Sequence, residues 1–238
     1  MLPEFSRLGR TPSKPIPLAS AKNRLPGGAG YMHTDNYSQI EVQHFSNRLF
    51  QIGFRILRFF RRFRWRIREN NANIRLEAIL VGELPVQLPK GDSIVLKAGE
   101  YHLSVHPEIK ALFRKNSACN YFVAHYSPEL LKYAGAENIA KPGGPYLLTQ
   151  EMKKLIHGIR LNPYRKQLLT FHYDNSIREL LKLHLSIVDN ALPGELSDND
   201  IRAIYTADNL LLEDIGEHFD IPTIAQRIGI NETKLKKG

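Results

Sequence analysis

The amino-acid sequence predicts an α+β protein: an N-terminal antiparallel β-sandwich or barrel, then helices, then a small all-α unit at the C-terminus. Three observations predict this. Phe63-Arg64-Trp65-Arg66-Ile67-Arg68 alternates aromatic or aliphatic residues strictly with arginine, the period-two signature of a strand. From there to Tyr126, clusters of Pro, Gly and Asp recur about every ten residues, the spacing of short strands in a sandwich or barrel. At Ser127 the period changes to that of a helix.

Taken in order, residues 1–31 read as a disordered tail. They hold Pro3, Pro12, Pro15, Pro17 and Pro26, three glycines between Gly27 and Gly30, and no apolar periodicity. Such a segment buries too little apolar surface to offset its chain entropy. Residues 45–126 read as the β-rich domain. After Phe63 to Arg68, Ile74 to Leu80 forms a second strand and Leu84 to Leu88 a third, with Gly82 at the bend between them. Pro89-Lys90-Gly91-Asp92 turns into a strand from Ser93 to Leu96. Lys97-Ala98-Gly99-Glu100 then turns into Tyr101 to Val105, and Ala111 to Arg114 and Asn120 to Tyr126 complete the set.

Residues 127–191 read as a helical segment, to which the family resemblance described below gives a coupling or dimerisation role. Ser127-Pro128-Glu129 supplies a capping hydroxyl, a proline suited to the first helical turn and an acid near the positive helix end, so a helix runs to about Ala134. Thr149 caps a second helix, from about Gln150 to Gly158. Asn162-Pro163 opens an apolar stretch with Leu168, Leu169, Ile177, Leu180, Leu181 and Leu185, which fits one long helix or two short ones equally well. Leu192-Pro193-Gly194 reads as a linker, and residues 196–238 form the C-terminal unit, with Ser197 capping a helix to about Asp214.

Composition bounds the function. Of 238 residues, 42% are hydrophobic and 24% charged, which excludes a wholly disordered chain, a collagen-like repeat and a disulfide-built mini-protein. The one cysteine, Cys119, has no intramolecular disulfide partner, which points to a reducing, cytoplasmic setting. No apolar run reaches the roughly 18 residues of a membrane span, and the first residues carry no secretory signal pattern. The net charge of +9 favours a polyanionic partner, most often nucleic acid.

The C-terminal stretch from Pro222 to Gly238 reads as helix, glycine turn, helix. Ile224, Ala225 and Ile228 share one face, the small Ala225 lets a second helix approach, and Gly229 suits the left-handed position at a helix end. Asn231 caps the next helix, whose Leu235 points to the core while Lys234, Lys236 and Lys237 reach outward. These are the parts of a helix-turn-helix, whose second helix enters the DNA major groove.

The run Ile224-Ala225-Gln226-Arg227-Ile228-Gly229-Ile230-Asn231, with Lys234-Leu235-Lys236-Lys237-Gly238, resembles the first helix-turn-helix of AraC/XylS-type transcriptional regulators. Leu96-Lys97-Ala98-Gly99-Glu100-Tyr101, His125-Tyr126-Ser127-Pro128-Glu129-Leu130-Leu131 and Leu155-Ile156-His157 followed by Asn162-Pro163-Tyr164 are similar to the upstream part of some members, so the resemblance covers roughly residues 45–238. It implies a cupin-like sensor domain and a DNA-binding regulator. The implied partners are double-stranded promoter DNA, a small-molecule effector and a second copy of the chain. It places base-reading side chains at Thr233, Lys236 and Lys237, and gives Asn231 and Lys234 capping and backbone contacts. Family members carry two helix-turn-helix units joined by a long helix. This chain ends inside the first recognition helix, which the resemblance reads as a truncated form.

Other motifs compete. Arg55, Arg58, Arg61, Arg62, Arg64, Arg66 and Arg68, interleaved with Phe59, Phe60, Phe63 and Trp65, suggest a single-strand nucleic-acid surface. The stronger reading of the same alternation sends the aromatics into the core and the arginines to the wet face of one strand, with an anionic effector pocket or a basic face that assists DNA docking as a further alternative. His102, His106, Glu108 and His125 suggest a metal site, since barrels of the cupin type use histidines and a carboxylate. His102 and His106 lie about 13 Å apart in a single strand, however, and the tight His-x-His pair is missing. These histidines are expected at the surface or in hydrogen bonds. Cys119 is expected in a turn as a passive thiol. No phosphate loop, Gly-x-Ser-x-Gly or paired-carboxylate motif occurs.

The sequence therefore predicts a transcriptional regulator, not an enzyme, with no cofactor and no metal. A ligand-binding or dimerisation module without DNA binding of its own is the first alternative, and a cupin-like metal enzyme the second.

Overall fold

The strands follow from alternation along one chain after another. In β3 (Ser38–Ser46) Ile40 and Val42 point one way, and in β4 (Phe50–Phe59) Arg55, Leu57 and Phe59 do the same. The computed structural model describes residues 16–17, 24–68, 74–87, 93–105, 108–136, 143–190, 203, 206–207, 220–230, 232 and 235. By internal contacts the chain forms two units, Met1–Leu183 and His184–Gly238.

The first unit is an antiparallel β-sandwich with helices. Its main sheet runs in the order β1 (Ile16–Pro17), β2 (Ala29–Thr34), β3, β4, β10 (Ser117–Tyr126), β6 (Ile74–Gln87), β8 (Glu100–Ser104) and β11 (Gly143–Leu147). The second sheet pairs β5 (Phe63–Arg68) with β9 (Glu108–Phe113), and β7 (Ser93–Lys97) with the C-terminal half of β6. All these ladders are antiparallel.

Ile74 to Gln87 is one strand, not the two expected on either side of Gly82. Ile74 to Gly82 pairs with β10, and Glu83 to Gln87 pairs with β7. The change of partner occurs at Gly82, which has φ +77, and a Cβ there would lie 2.0 Å from the Ala118 carbonyl oxygen. Only glycine fits this position, and the strand bends rather than ends.

Three further differences concern the edges of the expected domains. Folded structure begins before residue 45: β2 and β3 extend the main sheet, and Ile40-Glu41-Val42 carries the alternation that signals it. Residues 24–31, assigned by composition to a tail, are part of the fold. Leu25 is fully buried and its N–H donates to the Gln43 side chain, while Tyr31 packs in the core. Within 127–191, read as helical, β11 adds a strand beside β8.

The helices match their local signals. Ser127 Oγ accepts from the Leu130 N–H to cap α1 (Pro128–Tyr133), and Thr149 Oγ1 accepts from the Met152 N–H to cap α2 (Gln150–Leu161). The apolar stretch after Asn162 forms one helix, α3 (Lys166–Asn190). Met152, Ile156 and Ile159 of α2, and Leu169, Tyr173, Ile177 and Leu180 of α3, recur at helical spacing and are buried. They cover the outer face of the main sheet, where the Arg160 guanidinium sits 5.5 Å from the Phe54 ring centre and Phe45 meets Tyr173 edge-on at 4.9 Å. Burial of each such side chain contributes roughly 1.5–3 kcal/mol. No helix among the described residues is long and apolar enough to cross a membrane.

Candidate functional site

The inner face of the main sheet changes character along its strands. Residues directly opposite in an antiparallel ladder share a face, so Leu57, Arg55 and Gly53 of β4 line up with Cys119, Tyr121 and Val123 of β10. Ile79 and Glu77 of β6 continue the rows beside Tyr121 and Val123, and His102 of β8 sits opposite Glu77. One row further, His125, Arg75 and Ser104 are opposite one another. One half of the interior is thus apolar and the other half is charged.

Glu77 is the centre of the charged half. Its carboxylate is fully buried, with Oε2 2.6 Å from His102 Nε2 and Oε1 3.3 Å from Arg75 Nε. Arg75 Nη2 donates to Ser104 Oγ at 3.4 Å. Next to them Arg55, also buried, donates from Nη1 to Tyr121 Oη at 3.0 Å, with its guanidinium 5.5 Å from that ring's centre. Burial by itself would raise the Glu77 pKa. The Arg75 guanidinium and the His102 hydrogen bond overcome it and hold the carboxyl down to about 2. Burial pushes the Tyr121 phenol up, keeping it a neutral hydrogen-bonding group.

The cluster puts two guanidiniums, one carboxylate and an imidazole into a space shielded from water. The Glu77 charge is offset there by Arg75 and His102. Burial raises the Cys119 thiol to about 12, with the Glu77 charge adding to it. Cys119 lies mid-strand rather than in a turn, and its thiol is unreactive for that reason.

Two of the histidines are away from the surface. His102 and His125 are both buried, on β8 and β10, while His106 and the Glu108 side chain lie outside the described residues. His102 is engaged by Glu77, and no group of three or more His, Cys, Asp or Glu that could hold a metal occurs among the described residues. Ile79 and Tyr121 face this interior. Leu76 and Tyr101 lie on the opposite face of the sheet.

Arg55, Arg75 and Glu77 were not legible as interior groups. Arg75-Leu76-Glu77-Ala78 alternates as a half-exposed strand would, with its charges outward. From Ile74 to Ile79 both faces of β6 are in fact buried, so the charged face has to look inward.

In the C-terminal unit the described part is α4 (Ile221–Ile228) and the turn after it. Asp220 Oδ1 accepts from the Thr223 N–H, Pro222 occupies the first turn, and Ile224 and Ala225 are buried. Gly229 closes the helix at φ 73 in the left-handed region, and the Ile230 N–H donates back to the Ala225 carbonyl at 3.1 Å. Glu232 and Leu235 beyond the turn are again helical. Asn231, Thr233, Lys234, Lys236 and Lys237 lie outside the described residues.

No family model and no curated protein sequence matches this chain. Among solved structures, the fold is similar to that of the AraC-like transcriptional activator CuxR, at 13% identity and a TM-score of 0.46 over 87% of this chain and 78% of that one. ToxT from Vibrio cholerae is similar at 12% identity and a TM-score of 0.43, over 80% of this chain and 74% of that one. The Cupin_2 domain of an XRE family transcriptional regulator from Enterobacter cloacae matches 37% of this chain and 97% of its own length, at 13% identity and a TM-score of 0.32.

Proposed function

We propose that the chain is a DNA-binding transcriptional regulator, with a ligand-sensing or dimerising β domain and a C-terminal helix-turn-helix. The observation that carries this is the turn at Gly229. A short helix with a buried Ile224–Ala225 face stops in the left-handed conformation and resumes as helix by Glu232, over the sequence that resembles the AraC/XylS motif. In this reading Thr233, Lys236 and Lys237 face the bases, and Asn231 and Lys234 serve capping and backbone contact. The β domain is the sensor, its effector facing the Glu77–Arg75–Arg55 cluster. Exposed Leu168 and Phe171 on α3 support a role for the helical segment in contact with a second copy.

The test is fluorescence anisotropy with DNA from the gene's own upstream region and with scrambled DNA of equal length, across a salt series. The chain is expected to prefer its own DNA. Lys236→Gln with Lys237→Gln should remove about 1–3 kcal/mol of that preference for each base-reading side chain replaced. Equal affinity for both DNAs, falling steeply with salt, would reduce the interaction to generic phosphate attraction.

The buried charged cluster favours a second reading, a ligand-binding module without DNA binding of its own. A thermal-shift response to small polar anions, from a chain that does not discriminate between the two DNAs, would select it.

A further inference from the structure

At one end of the sandwich two tight connections lie side by side. Phe59, at the end of β4, pairs with Ser117 at the start of β10, and Phe63, at the start of β5, pairs with Phe113 at the end of β9. The β4–β5 connection, Phe60-Arg61-Arg62, therefore neighbours the β9–β10 connection, Arg114-Lys115-Asn116. Arg58 and Arg64 flank the first of these. All six cations are exposed.

The base under them is closely packed. Phe59 stacks on Phe63 at 4.8 Å and on Phe113 at 4.3 Å between ring centres, and all three belong to or pack against the apolar core. The Phe60 N–H donates to the Tyr37 carbonyl at 2.8 Å, and the Arg61 guanidinium rests 4.9 Å from the Tyr37 ring centre. Among the described residues, none of Arg58, Arg62, Arg64, Arg114 and Lys115 takes part in an ion pair. Asp35, in the adjoining β2–β3 connection, directs one carboxylate oxygen to the N–H groups of Tyr37 and Ser38, both at 2.7 Å.

We infer that this end of the β domain is a docking surface for the phosphate backbone of double-stranded DNA, gripping it without reading bases. Five of the six cations are arginines, whose planar forks match phosphate oxygens two at a time. Their concentration on two adjacent turns focuses the chain's positive charge. Stacking on unpaired bases is disfavoured, because Phe59 and Phe113 are buried and Phe63 is half-buried, which leaves Phe60 as the exposed phenylalanine of these turns. A lone exposed ring is likewise too little apolar surface to insert into a bilayer. The choice of DNA as the polyanion rests on the regulator reading, while the surface adds a contact on the β domain beyond the helix-turn-helix.

The experiment uses the full chain and a duplex of arbitrary sequence, with affinity measured from about 50 to 200 mM salt. Arg61→Gln, Arg62→Gln, Arg114→Gln and Lys115→Gln are combined in one variant, with circular dichroism to check its fold. Removing four phosphate-binding cations should flatten the plot of log affinity against log salt by about 3 to 4, and weaken binding at least about tenfold at the low-salt end. A second variant with Arg61, Arg62 and Arg114 all changed to Lys should keep most of the slope.

An unchanged slope in the four-residue Gln variant would overturn the proposal. So would binding to vesicles containing phosphatidylserine that needs the same four residues while duplex binding does not. The regulator reading fails separately. If the chain shows no preference for its own upstream DNA but the four-residue variant still loses slope, the surface stands and the helix-turn-helix reading falls. If the preference persists and the slope is unchanged, the reverse holds.

Discussion

The same strands carry opposite materials at the two ends of the sandwich interior. At one end Phe59, Phe113, Leu57, Ile79, Leu84 and Leu96 fill the space between the sheets. Two to four residues further along β4 and β6, still on the inner face, stand Arg55, Glu77 and Arg75. The apolar end is held by area removed from water, which depends little on pH or salt. The charged end holds only while every partner is present, because each desolvated charge is offset by another. It follows that an apolar core and a buried charged cluster can share one sheet, provided the register keeps their rows apart.

The comparison can be broken at either end. Glu77→Leu leaves Arg75 buried without its carboxylate and should cost about 3–5 kcal/mol in urea unfolding at neutral pH. Phe113→Ala at the apolar end should cost about the same, 3–5 kcal/mol, by leaving a cavity against Phe59. Acid should separate the two. Glu77 has a folded pKa of about 2 against an ordinary value of 4.5. Its stabilisation is complete above 4.5 and fades as pH falls toward 2. The penalty for Glu77→Leu should shrink through that window, while the penalty for Phe113→Ala should not. A constant Glu77→Leu penalty would show that the carboxylate is not held by charge.

A second pH window belongs to α3. Burial lowers His184 from 6.5 to about 4, so it is neutral in the folded chain at pH 7. Its contribution is complete above 6.5 and is lost as pH falls to 4, up to about 3 kcal/mol. His184→Leu should flatten unfolding stability between those two values and leave the loss from 4.5 down to 2 that belongs to Glu77 in place. Smaller effects are expected at the caps. Ser127→Ala and Thr149→Ala should each cost about 1 kcal/mol, readable as a lower unfolding midpoint.

What could be read from the sequence was local. The β5 alternation, the Ser127 and Thr149 caps and the left-handed Gly229 each rest on interactions within a few residues, and each appears in the structure. After Asn162 the apolar spacing fits one helix and two equally, and only packing against the sheet decides for one. β3 was legible in Ile40 and Val42 but obscured by the polar residues around them. The Glu77 cluster was not legible at all. Its members come from β4, β6, β8 and β10, and only the register places them together. Local alternation tells which residues share a face of a strand, but not whether that face meets water or another sheet.

β6 belongs to both sheets. Its first half pairs with β10 and β8, its second with β7, and the Gly82 bend fits so closely against Ala118 that no side chain can be accommodated there. Neither wall of the sandwich can come apart without pulling on a strand of the other. The sandwich is therefore a single cooperative unit in which local opening cannot stay local, and a ligand gripped at the charged end would steady the wall it never touches.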